Sequence, residues 1–123
     1  MNLRPYYFLI GLIGSSLSYT ILAENVADFP SRPIKIIVPV AAGGNVDIVA
    51  RTVGNELTKI LGQNVVIENR PSSASIVGTQ LVAKASPDGY TLLAHSSTFF
   101  AAPLISNNAG YDPVKDFSPI SLT

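Results

Sequence analysis

Residues 34–53 read IKIIVPVAAGGNVDIVARTV, and this stretch decides the fold. Its first seven residues are almost continuously apolar and rich in β-branched side chains, the pattern of a strand covered on both faces, as in parallel sheets. Pro39 falls near the end of the run, where a missing N–H costs least. Residues 41–44 (AAGG) make a tight small-residue turn, and Asn45 is a good helix N-cap. Behind it, Val46, Val49, Val53, Leu57, Ile60 and Leu61 recur at steps of three and four. That spacing predicts an amphipathic helix with those side chains on its buried face, stopped by Gly62.

Working outward, residues 64–69 (NVVIEN) read as a second strand. Residues 70–75 (RPSSAS) are a loop in which Ser75 is the expected cap of a second helix, and Val77, Leu81 and Ala85 share one face of that helix. Pro87, Asp88 and Gly89 form a turn by composition. Residues 90–94 (YTLLA) are a third strand, residues 95–98 a polar loop, and residues 99–105 a short helix. Residues 107–110 (NNAG) break regular structure, and residues 120–123 look like the opening of another strand. The order is strand, helix, strand, helix, strand with short connections. Right-handed crossovers then give an α/β fold with a parallel three-stranded sheet.

Residues 1–23 read as a secretory signal peptide, leaving residues 24–123 as the folded part. Arg4 supplies the positive end, residues 6–22 carry no charge, and Ala23 is a small residue at the cleavage point. The rival reading is a membrane anchor, and Ser15, Ser16 and Ser18 argue against it. Once Arg4 has left with the signal, seven Lys and Arg face eight Asp and Glu. That balance offers no electrostatic footprint for nucleic acid. The chain has no cysteine, so disulfides and thiolate chemistry are excluded, and export without disulfides suits a bacterial envelope protein.

Two loops could carry chemistry. The first is residues 41–47 (AAGGNVD), in which Ala42, Gly43, Gly44, Asn45 and Asp47 are candidate ligand contacts. Small residues let a ligand approach the backbone, and the helix that follows aims its unpaired N–H groups and positive dipole end at the same space. A carboxylate matches such donors. The dinucleotide and triphosphate glycine motifs are absent, and no lysine stands in the loop. Packing alone also explains a tight turn here, and Asp47 can simply complement the helix dipole and pair with Arg51 four residues on. The second loop is residues 95–98, where Ser96, Ser97 and Thr98 offer hydroxyls to an oxygen-rich small molecule, or else cap the helix that follows.

His95, the single histidine, lacks partners for a metal site or a hydrolytic triad and reads as a packing residue. No metal, cofactor or catalytic residue is expected, and the chain does not read as an enzyme.

Four blocks occur in order and in register: IKIIVPVAAGGNVDIVAR, GQNVVIENRP, VAKASPDGYTLL and YDPVKDFSPISL. Together they closely resemble the Bug-type solute receptors of tripartite tricarboxylate transporters, over residues 29–123. The resemblance implies a type 2 periplasmic-binding-protein (Venus-flytrap-like) fold, of which only part of the first lobe is present. It further implies a periplasmic receptor that captures a small organic acid for membrane permease subunits, with contacts on the loops named above. Val40 stands where the family commonly has Phe or Tyr, Val46 where it often has Thr or Ser, and residues 72–75 where it is usually glycine-rich. The alternatives are an inert truncated gene product, a carboxylate-sensing adaptor, and a nucleotide-binding enzyme, the last disfavoured by the missing phosphate motifs.

Overall fold

The computed structural model describes residues 28–106 and 108–122; the expected signal peptide lies outside the described residues. Three strands, β1 (Ile34–Val38), β2 (Val65–Asn69) and β3 (Thr91–Leu93), form one parallel sheet in the order β2-β1-β3. Helix α1 (Asn45–Leu61) connects β1 to β2, α2 (Ile76–Ala83) connects β2 to β3, and α3 (Thr98–Ile105) follows β3. Ile36 lies opposite Ile67 on one side and Leu92 on the other. Because β1 is the middle strand, both of its faces and both of its edges are covered. This is why its sequence is a continuous apolar run: Ile37 and Val38 are fully buried and Ile34 and Ile36 nearly so.

Ile36 and Val38 point to the face that α1 covers, where they meet Ala50, Val46, Val65, Ile67, Leu92 and Ala94. Strand alternation turns Ile37 to the opposite face. The helix buries only part of the face that its periodicity predicts: Val46 packs on the core, and Leu57 and Leu61 are half-buried. Val49, Val53 and Ile60 are exposed, and the buried line runs through Asp47, Ala50 and Gly54. Small residues win because they let the helix come close: a Cβ on Gly54 would stand 3.1 Å from Ile67 Cδ1. Thr58 continues that line, donating its hydroxyl to Gly54 O (2.9 Å) and accepting the Val65 N–H (3.0 Å) at the start of β2. Gly62 ends the helix in a left-handed conformation (φ 67), its N–H donated to Thr58 O.

The second helix repeats the lesson. Gly78 and Thr79 are buried while Val77 and Leu81 are exposed. Gly78 lies against the end of β1, with room for no side chain: an added Cβ would meet the Pro39 ring at 2.7 Å and Arg70 O at 3.1 Å. Ser75 does not cap the helix. It adopts a left-handed conformation (φ 59), as does Ala74 (φ 50), and Ser72 Oγ accepts the Val77 N–H (3.0 Å) instead. Ser75 O accepts the hydroxyl of buried Thr79 (2.8 Å).

At the far end of the sheet, Tyr90 secures the entry to β1. Its hydroxyl accepts the Ser31 N–H (2.9 Å), and the Arg32 guanidinium stacks 3.8 Å above its ring while pairing with Asp88. The segment after α3 is fastened by Gln80, which donates to Ala109 O (2.8 Å), and by Tyr111, whose hydroxyl donates to Phe99 O (2.9 Å). Residues 118–122 carry no regular structure, so the strand expected to open at 120 has not formed there, and Ile120 is exposed. No strand edge among the described residues pairs with it.

The two buried glycines should respond differently to an added methyl. Gly78→Ala meets a proline ring and a backbone oxygen, neither of which can yield, and should lower stability by about 1–3 kcal/mol. Gly54→Ala meets the tip of a flexible isoleucine tightly and Val65 Cγ1 at an ordinary 3.4 Å, and it gains helix propensity of up to about 1 kcal/mol. It should therefore lie close to the parent protein in urea denaturation, well above Gly78→Ala.

Candidate functional site

The chain leaves β1 towards β2 and comes back on the other side of β1 as β3. The loops that follow β1 and β3 therefore stand side by side at the carboxyl end of the sheet, where open α/β sheets bind ligands. Ala42, Gly43, Gly44, Asn45 and Asp47 lie in and just behind the first loop, and Ser96, Ser97 and Thr98 in the second. The β2–α2 loop, residues 70–75, lies at the same end.

The first loop is shaped by Asp47, which is buried at 2% exposure. One carboxylate oxygen accepts the Gly43 N–H (2.9 Å) and the Arg51 Nε–H (3.0 Å); the other accepts Asn69 Nδ2–H (2.8 Å). Asn69 also donates to Val40 O (3.1 Å) and accepts from the Arg51 guanidinium (2.9 Å). Both oxygens of Asp47 are thus engaged within the protein. Arg51, then the Gly43 amide and then Asn69 hold its carboxyl down to about 2, from the ordinary 3.8. Gly43 carries the turn at φ 86, a conformation that side chains disfavour.

With the loop held this way, the N–H groups of Ala42 and Asn45 have no partner among the described residues, and both residues are exposed. Asn45 is the first residue of α1, after Gly44 at the cap, and its side chain accepts the Val46 N–H (2.9 Å). The free donors and the positive end of a 17-residue helix favour an anion here.

The second loop offers hydroxyls. Ser96 Oγ and Thr98 Oγ1 lie 3.0 Å apart, and Ser96 O and Ser97 O accept the first N–H groups of α3 beyond Thr98, so main chain rather than side chain opens that helix. Ser96, Ser97 and Thr98 are all exposed. Among the described residues, no cluster of three or more His, Cys, Asp or Glu could hold a metal ion. Asn69 and Ser72 escape a reading from sequence. Their only signal is an Asn that ends a strand and a Ser five residues before a helical amide.

The parallel sheet with its helices is part of an α/β lobe of the periplasmic-binding-protein class, with the N-terminus of α1 and the hydroxyls of residues 96–98 both at its carboxyl end. The model of the family described as tripartite tricarboxylate transporter family receptor matches residues 49–123, and the chain belongs to that family. Its members are receptors, not enzymes. Among curated proteins, a UPF0065 protein of Bordetella bronchiseptica is 42% identical over 106 residues, covering 85% of this chain and 32% of its own length.

Among solved structures, the periplasmic binding protein BugD superposes with a TM-score of 0.72 at 42% identity, covering 75% of this chain and 31% of that one. MatC from Rhodopseudomonas palustris, solved with bound malate, superposes with a TM-score of 0.69 at 41% identity, covering 74% and 31%. The chain spans about a third of the length of these relatives.

The depressed Asp47 carboxyl has a pH signature. The stability it contributes is fully present above about pH 4, the unfolded range, and is lost as pH falls through about 2. Asp47→Asn should therefore be less stable than the parent at neutral pH, with the gap in urea midpoints closing across that acid window. A gap that does not change with pH would contradict the assignment.

Proposed function

We propose that this chain supplies the first-lobe half of a periplasmic receptor that captures a small organic acid, exported by residues 1–23 and serving the permease subunits of a tripartite tricarboxylate transporter. One observation carries the reading. The Asp47, Asn69 and Arg51 knot turns the first loop so that the exposed amides of Ala42 and Asn45 lie free at the mouth of α1. Carboxylate oxygens accept from such amides without needing a lysine or arginine, and this loop holds neither.

In this reading the amides of Ala42 and Asn45 hold one carboxylate, Gly43 and Gly44 let it approach the turn because they carry no side chain, and Ser96, Ser97 and Thr98 reach the polar remainder of the ligand. Asp47 takes part by holding the Gly43 amide, since a bare carboxylate would repel the ligand directly. Malate in MatC, a relative at 41% identity, supports a carboxylate of that size. The part of the relatives' length that this chain does not span would supply the opposite wall of the cleft.

Isothermal titration with malate tests this. The chain alone should bind weakly, and a protein continued to the relatives' full length should bind tightly. Gly43→Ala, forced into a left-handed turn that costs an alanine about 1–2 kcal/mol, should weaken malate binding several-fold. The second reading, an inert truncated product, predicts no heat from malate in the chain alone, with binding only in the full-length protein.

A further inference from the structure

His95 is the one histidine in the chain and opens the loop after β3. Its Nδ1 is tied to that loop: the Ser96 N–H points at it from 2.9 Å, Ser96 O lies at 3.0 Å and Thr98 Oγ1 at 3.5 Å. The ring packs on Phe99 with centroids 5.6 Å apart. Phe99 is itself stacked on Tyr111 at 5.7 Å and meets the edge of Phe117 at 5.0 Å. On the other side of the imidazole, Nε2 is buried and has no hydrogen-bond partner among the described residues.

Either neutral tautomer can be accommodated, because Nδ1 can accept from Ser96 N–H or donate to Ser96 O. The imidazolium is harder to hold. Its Nδ1–H can donate to Ser96 O only by turning from the Ser96 N–H, and its Nε2–H would be a buried cationic donor with no acceptor among the described residues. No carboxylate or cation among the described residues acts on the ring, and burial leads in holding it below the ordinary 6.5, opposed by the Ser96 backbone. Ser96, Thr98, Phe99 and Phe117 do not titrate in this range. Tyr111, the one other titratable group in the cluster, is pushed above its ordinary 10.0 by burial and stays neutral.

We propose that His95 is a proton-operated latch on the second ligand loop: the neutral ring locks Ser96 and Thr98 in place, and protonation expels it and releases a bound carboxylate. The inference rests on the reading of Ser96 to Thr98 as part of the site. Its sign is opposite to that of simple charge attraction, by which a new cation near the site would tighten the hold on an anion.

With one histidine, the C2–H resonance of the ring can be followed by NMR without assignment ambiguity and without ligand. The midpoint should fall below 6.5, and the amides of Ser96, Thr98 and Phe99 should shift with it. A midpoint at or above 6.5, or amides that do not follow, would overturn the latch. In parallel, malate affinity is measured from about pH 7.5 to about pH 4.5 for the parent and for His95→Asn. The variant keeps an acceptor for Ser96 N–H but cannot be charged. Comparing the two cancels malate's own titration.

The parent-to-variant affinity ratio should drop about tenfold per pH unit below the midpoint, and a constant or rising ratio would overturn the proposal. His95→Gln serves if His95→Asn does not fold. Absence of malate binding at neutral pH would sink the receptor reading and with it the release step, whereas the ligand-free titration separately decides whether the neutral ring holds the loop.

Discussion

A single buried carboxylate organises the business end of this molecule. Asp47 joins three pieces of chain that are distant in sequence: the glycine turn through Gly43, its own helix through Arg51, and the end of β2 through Asn69. A charge this deep is tolerated only because every lone pair that matters is met by a donor and a guanidinium stands beside it. Its bond to the Gly43 N–H fixes the turn that leads into α1. An anion behind the turn thus uses up donors of Gly43, Arg51 and Asn69, while the amides of Ala42 and Asn45 have no partner among the described residues.

The rest of the lobe serves closeness. Ala50 and Gly54 bring α1 down onto the sheet, and Gly78 brings α2 against Pro39 and the Arg70 carbonyl. Two helices seated this near hold the three carboxyl-end loops together. The same closeness leaves Val49, Val53, Val77 and Leu81 outside, because a bulky side chain at the contact would lift the helix away. Residues 72–75 turn the chain without a glycine. Ala74 and Ser75 accept left-handed conformations, and Ser72 reaches back to satisfy a helix amide.

Much of this was legible before any coordinates. The run IKIIVPV marks a strand buried on both faces, and it proved to be the middle strand of a parallel sheet. The pairing of Asp47 with Arg51 follows from a four-residue spacing on a helix. Both helices press small residues closest to the sheet, and Val46 joins them on α1: periodicity weighs hydrophobicity, whereas the closest contact is decided by volume. Asn69 was missed because nothing local marks an asparagine whose partners lie 22 and 29 residues away.

By itself, then, the sequence determined the element order, the parallel crossovers, the small-residue turn at the carboxyl end of the first strand and membership of a receptor family. These follow from local steric preference and from patterns that repeat along the chain. Only the tertiary structure decided that Asp47 holds the loop with both oxygens, that Gly78 rather than Val77 faces the core, and that His95 carries a buried nitrogen with no partner among the described residues. Each of those depends on which distant atoms arrive within about 3 Å of a group, and a linear pattern does not encode that distance.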